Sequence, residues 1–207
     1  MSVPDKSIDP RLIQAAKEEF LQKGFEKASL TNICKASGVT TGALYKRYKG
    51  KEELFCALVD DTVKSMKDYV AGIESIDLSK YTDEQLYDSF SLSVGRNIEW
   101  FKSLYVQKEE FILLIRCASG TKYENFHQEW TKQMNNIDYK FYQEAKKRGL
   151  VTKNLSADEY HVLTFSIWSL FYEPFFLDFT WEQLEKFSET ICLFIDLHSA
   201  VGFSKPE

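Results

Sequence analysis

The residues best suited to chemistry lie between Ser29 and Leu54, in SLTNICKASGVTTGALYKRYKGKEEL. Five cations, Lys35, Lys46, Arg47, Lys49 and Lys51, fall between Thr31 and Lys51 with no acid among them. Small residues come first, at Thr41, Gly42 and Ala43, and Tyr45, Lys46 and Arg47 follow. A helix offered to duplex DNA needs that order: small groups let its first turn approach base edges, then phenols and cations hold phosphates. Ser29 stands where a hydroxyl can cap a first short helix, Gly38 where a left-handed stop is cheapest, and Thr40 where a second helix restarts. Ile33, Cys34, Leu44 and Tyr48 take inward positions by their spacing, leaving 41–43 and 45–47 outward. On charge alone, an ordinary helical hairpin with a solvated basic face is the alternative.

Charge is segregated along the chain. The 207 residues carry a net charge of −5, yet residues 1–55 are net +3 and the remainder net −8. A basic end on an acidic body implies that a polyanionic partner meets one end only.

The run from Gly38 through Val39-Thr40-Thr41-Gly42-Ala43-Leu44-Tyr45-Lys46-Arg47-Tyr48-Lys49-Gly50-Lys51-Glu52-Glu53 to Leu54 resembles the N-terminal signature of the TetR/AcrR family of bacterial transcriptional regulators. That signature runs roughly G-V-S-x-G-x-x-Y-x-H-F-x-S-K-E-x-L. The resemblance implies that Thr40 caps a recognition helix, that Gly42 lets the backbone close to DNA, and that Tyr45 and Lys51 bind phosphate. The DNA-contacting set expected here is Ser29, Thr31, Thr40, Thr41, Gly42, Ala43, Tyr45, Lys46, Arg47 and Lys51. Arg47 and Tyr48 stand where the family usually has His and Phe, and Ala28 where Thr is commoner before Ser29. The last departure removes one hydroxyl that could reach a phosphate. The resemblance further implies a ligand-responsive repressor that binds a palindromic double-stranded operator as a homodimer through its last two helices.

The elements that must position these residues read as helices throughout. Asp9-Pro10 is a helix start, and Leu12, Ile13, Ala16 and Phe20 form the apolar stripe of a first helix that Gly24 stops. An all-α protein is expected: a three-helix helix-turn-helix domain over residues 1–50, a linking helix over 51–70, and a helical effector-binding and dimerisation domain over 51–207. Residues 1–8 read as a short arm with no targeting segment, so the chain is expected in the cytoplasm. The longest uncharged run, Tyr160 to Tyr172, is too short for a membrane span.

Beyond Leu54, four S/T-x-x-E/Q capping boxes open helices: Thr82 with Gln85, Thr121 with Glu124, Ser156 with Glu159, and Thr180 with Gln183. After loose residues from Gly72 to Tyr81, one helix should carry Leu86, Phe90, Val94, Ile98 and Phe101. The next should run from Leu104 to Ala118 and another from Tyr123 to Arg148, the latter with Trp130, Met134, Ile137 and Phe141 on one stripe. The final pair, Ala157 to Asp178 and Trp181 to Ala200, is apolar on too many sides for one neighbour each, which points to a homodimer through residues 157–200. Pro174 should kink or interrupt the first of them. A buried helix inside a monomer is the alternative.

Candidate effector-lining residues are Trp100, Phe101, Tyr105, Phe111, Trp130, Phe165 and Trp168, whose faces could converge within a bundle and favour an apolar or aromatic small molecule. Two other classes are open to a helical chain of this kind. A metal-dependent helical-bundle enzyme would need two Glu-x-x-His pairs; Glu124 and His127 make one, and neither His161 nor His198 completes a second. No nucleophile motif or phosphate loop is present, and Cys34, Cys56, Cys117 and Cys192 lack metal spacing, so no enzyme, cofactor or metal is expected. A helical protein-binding adaptor would carry acids or bulky apolar groups on the outward face of 41–47, and that face has neither.

Overall fold

The computed structural model describes residues 9–205. The arm expected at residues 1–8, and the cap expected from the Asp9 side chain, lie outside the described residues. Eleven α-helices occur among the described residues: α1 (Asp9–Lys27), α2 (Leu30–Ser37), α3 (Thr41–Tyr45), α4 (Lys51–Glu74), α5 (Asp83–Ser89), α6 (Val94–Tyr105), α7 (Lys108–Arg116), α8 (Phe126–Lys147), α9 (Ala157–Phe176), α10 (Trp181–Phe194) and α11 (Leu197–Val201). An antiparallel bridge joins Val151 and Phe203. The chain divides into two compact units, one taking the residues up to Lys67 together with Gln107–Gln128, the other Asp68–Val106 and Glu129 onward. The division falls within α4 and within α8.

In the first unit, the stripe of α1 is buried at Leu12, Ala16 and Phe20, as are Ile33, Leu44, Leu54 and Phe55, and Phe20 packs edge to face on Phe55. Phe20, Phe25 and Phe55 form an aromatic trio with ring centroids 5.1–6.0 Å apart. Each such side chain contributes about 1.5–3 kcal/mol of burial. Gly24 breaks the helical geometry of α1 with φ 72°, and the chain turns on through Lys27. That turn returns its backbone to the unit, because the Phe25 N–H donates to the Cys117 carbonyl at 2.9 Å. Lys17 on α1 pairs with Glu109, at 3.3 Å, and with Glu110 on α7.

In the second unit, Leu86, Phe90, Tyr142, Ala145, Val151, Tyr160, Val201 and Phe203 form a buried cluster. The fully buried Tyr142 accepts from the Leu155 N–H at 2.8 Å and donates to the Lys153 carbonyl at 2.7 Å, which fixes the connection between α8 and α9. Arg148 reaches the carbonyls of Leu78 and Tyr81, each at 2.7 Å, as well as Asp83 and Glu144. It thereby secures the short 3-10 turn at Leu78–Lys80.

Several expectations need correction. The helix expected to carry Leu86 through Phe101 is two helices, because the Ser93 hydroxyl accepts from the Arg96 N–H and starts α6 afresh. The helix expected over Leu104–Ala118 is likewise split, α6 ending at Tyr105 and α7 opening at Lys108. Of the four capping boxes, those of Thr82, Ser156 and Thr180 are formed in full. The Thr121 box is not: its hydroxyl donates to the Ala118 carbonyl and accepts from the Tyr123 N–H, Glu124 accepts from Gly120, and α8 starts only at Phe126. The linking helix runs to Glu74. Pro174 lies two residues before the end of α9 and does not interrupt it. The last expected helix stops at Phe194, and the Asp196 carboxylate caps a separate α11.

Candidate functional site

The helix-turn-helix is built by three local devices. Gly38 closes α2 in the left-handed region, with φ 67°, and its N–H and that of Val39 satisfy the free carbonyls of Lys35 and Cys34. Val39 is buried beneath the turn. The Thr40 hydroxyl accepts from the Ala43 N–H at 3.2 Å and starts α3. Leu44 anchors α3 to the core at 0% exposure, while Thr40, Thr41, Gly42, Tyr45 and Lys46 are exposed. Ala43, Arg47 and Tyr48 are half-buried, and Arg47 donates back to the Ala43 carbonyl at 3.3 Å.

Two of the expected contacts are engaged differently from expectation. Ser29 occupies the cap position of α2, yet its hydroxyl makes no cap bond; its N–H donates instead to Glu19 at 3.0 Å. Lys51 is turned onto the end of α1, where its ammonium donates to the carbonyls of Glu26 and Ala28 at 2.9 and 3.1 Å and lies 4.6 Å from the centre of the Phe25 ring. Its charge therefore stabilises free carbonyls within the unit. Thr31 is exposed on α2. Gly42 is helical with negative φ, and a methyl added there would meet no atom within 4 Å. The fold itself has no need of glycine at this position.

The second unit encloses a cavity of about 360 Å³, within the usual size of small-molecule sites. Helix α6 gives it Arg96, Asn97 and Trp100; α9 gives Tyr160, Thr164, Ile167, Trp168 and Phe171 along one face. Tyr69 and Ile73 come from the end of α4, Asp138 and Phe141 from α8, and residues 89–93 from the break between α5 and α6. Of the expected lining residues, Trp100 and Trp168 are therefore present. Phe101 is fully buried against Phe171 and Phe175, and Tyr105 packs on Trp181 at 5.5 Å. Trp130 stands behind the wall, 6.1 Å from Trp100 and 5.2 Å from Trp168. Phe165 is 44% exposed, and Phe111 belongs to the first unit.

Among the lining residues outside the expected set, Asp138 is the one acid. It accepts from the Trp168 indole N–H at 3.1 Å, and burial pushes its carboxyl up to about 6 against the pull of that bond. Burial, with Asp138 as the next cause, also raises the Tyr69 and Tyr160 phenols, so both stay protonated donors. A signal was available: Asp138 is one acid among Trp130, Met134, Ile137 and Phe141 on the apolar stripe of α8. Its place four residues beyond Met134 puts it on the inward face.

Two short helices meeting at a left-handed glycine, the second capped and followed directly by Lys46 and Arg47, define a helix-turn-helix domain. Residues 12–58 match the family described as bacterial regulatory proteins, tetR family, so this N-terminal domain is similar to the DNA-binding domain of that family. The chain is 32% identical over 77 residues to the HTH-type transcriptional regulator UidR of Escherichia coli K12, covering 37% of this chain and 39% of that protein. It is 33% identical over 67 residues to the HTH-type transcriptional regulator TtgR of Pseudomonas putida, covering 32% of each. The matches thus span two fifths or less of these curated relatives. Among solved structures, SCO3833, a TetR-family member from Streptomyces coelicolor A3, aligns with 100% of this chain and 94% of its own at TM-score 0.59 and 15% identity. The transcriptional regulator FadR from Bacillus subtilis in complex with stearoyl-CoA aligns over 90% and 96% at TM-score 0.52 and 18% identity. These likenesses show the fold, helical from end to end among the described residues.

Proposed function

We propose that this protein is a transcriptional regulator that reads operator DNA with α2 and α3 as a homodimer and is controlled by a small molecule held in the cavity of its second unit. The observation that carries the reading is the exposed face of α3. Thr41, Gly42, Tyr45 and Lys46 face water without an acid among them, and the glycine serves no packing need of the fold. A glycine retained where it costs helix stability fits a close approach by an outside partner, here the edge of the major groove. Tyr45, 54% exposed, and Lys46 supply the phosphate contacts.

Dimerisation is supported by apolar groups left uncovered on the last two long helices: Val162 and Phe165, three residues apart on α9, and Leu193 and Phe194 at the end of α10, 89% and 76% exposed. A two-fold pairing there would supply the two heads that a palindromic site needs, about 34 Å apart. Phe165 belongs to this face. Effector control is then a population shift, in which the ligand favours a head spacing that does not fit successive grooves. Repression released by ligand is the sign adopted, by analogy with the family.

The test is a mobility-shift selection from genomic fragments, followed by titration of the selected site with wild type and with a Tyr45→Ala, Lys46→Ala double variant. Wild type should bind with an affinity that falls steeply with salt, and the variant should show a weaker binding and a shallower salt slope. Equal binding and equal slopes would remove α3 from the interface.

A further inference from the structure

We infer that the ligand of the second unit's cavity is a hydrophobic organic cation, its positive charge held against the Asp138 carboxylate and its apolar groups against Trp100, Trp168 and Tyr160. The inference rests on the effector reading above and names the chemical class that the cavity selects.

Two charged residues line this cavity, and their situations differ. Arg96 is exposed, and its guanidinium is committed to the carbonyls of Asp88 and Ser91 and to the Ser93 hydroxyl, so water and backbone dipoles disperse its charge. Asp138 sits on the apolar stripe of α8, and among the described residues its one hydrogen-bond partner is Trp168, with no cation paired to it. One carboxylate oxygen is left over. Asp138 is half-buried at the cavity wall, and an anion so withdrawn from water without a countercharge is costly; proteins normally pair such groups. Its carboxyl, raised by burial, still ionises below neutral pH, so the free protein carries an unpaired negative charge beside an aromatic wall. A ligand cation would supply the missing partner in surroundings where little solvent screens it.

The walls suit the same ligand. Trp100 and Trp168 meet edge to face at 5.4 Å, and both rings line the cavity with the Tyr160 and Tyr69 phenols. Indole and phenol faces attract cations, most strongly when these are poorly hydrated, as bulky organic cations are. An anion of equal size would meet the Asp138 charge and lose that attraction.

Calorimetric titration of the full chain at pH 7.5 with tetraphenylphosphonium and with tetraphenylborate, near-isosteric ions of opposite charge, tests the inference. The phosphonium should bind wild type at least about tenfold more tightly than the borate, and Asp138→Asn should lose about tenfold or more of phosphonium affinity while Asp138→Glu keeps the preference. Borate binding as tight as phosphonium binding in wild type would overturn the inference, and this pair of titrations decides even if the Asn variant folds poorly. Equal phosphonium affinity in wild type and a folded Asp138→Asn would overturn it too. Running the mobility shift in parallel separates the two readings. Phosphonium binding through Asp138 that leaves the DNA complex intact supports the site and removes its effector role; lost charge preference with unchanged DNA binding removes this inference alone.

Discussion

Replacing Asp138 by Asn should change the pH dependence of folding in a way that can be worked out from the cavity. The carboxyl has a folded value of about 6 against 3.8 for the free side chain. The folded state therefore holds its proton more tightly than the unfolded chain does. This contribution to stability is present at low pH and is lost as pH rises through the window from about 4 to 6; above that it is a constant penalty. At about 1.4 kcal/mol for each unit, the full shift is worth roughly 3 kcal/mol, of which about 2 kcal/mol is traversed between pH 4 and pH 8. The groups tied electrostatically to this carboxyl, the Tyr69 and Tyr160 phenols, are held protonated by burial, so neither titrates in the window. Asn keeps an acceptor for the Trp168 N–H and removes the titration. Urea denaturation of both proteins across pH 4–8 measures the difference, and any constant cost of burying the amide cancels. The gap between variant and wild type should move in favour of Asn by about 2 kcal/mol on going from pH 4 to pH 8. A gap that stays flat, or moves the other way, would refute the claim that this carboxyl is withdrawn from water without a countercharge.

Gly42→Ala should separate fold from interface: with no neighbour to meet and no positive φ, it should raise stability by about 0.5–1 kcal/mol in denaturation while weakening operator binding in a shift assay. Tyr142→Phe leaves the Lys153 carbonyl and the Leu155 N–H without their shared partner, and should cost about 1–3 kcal/mol, read as a lower urea midpoint with helicity retained. Thr40→Ala removes the cap of α3 and should cost about 1 kcal/mol by the same measurement. If the proposed pairing through α9 and α10 holds, wild type should elute as a dimer and Phe165→Glu as a monomer in size-exclusion chromatography with light scattering, its helical content unchanged, because the variant places a charge on the uncovered face of α9.

The helix-turn-helix was legible residue by residue because its determinants are local. Gly38 needs positive φ, Thr40 lies three residues before the N–H it caps, and Leu44 marks the buried side; none of these depends on a distant partner. Where expectation failed, a distant or competing bond decided. Leu86, Phe90 and Val94 keep helical spacing across a break that the Ser93 hydroxyl imposes, so apolar periodicity alone could not show it. Thr121 has the pattern of a capping box, yet its hydroxyl accepts from the nearer Tyr123 N–H instead of that of Glu124. Lys51 reads as a phosphate ligand by position; without DNA its ammonium also holds carbonyls more than twenty residues earlier in the chain, which no local pattern shows. In the cavity, the large rings drew attention because they are rare and apolar. Phe101 and Trp130 turned out to be wall backing, and the informative residue was an acid in the middle of an apolar stripe.

The four tryptophans, Trp100, Trp130, Trp168 and Trp181, all fall in the second unit, and three of them stand within 5.2–6.1 Å of one another beside the cavity. Light absorbed by any of these three indoles can migrate to its neighbours before it is emitted, so one quencher lodged next to Trp100 or Trp168 would dim the whole set. Intrinsic emission therefore serves as a built-in optical gauge of cavity occupancy. The same gauge is nearly blind to the helix-turn-helix, which holds no tryptophan, so melting or docking of α1–α3 would have to be followed through an introduced label.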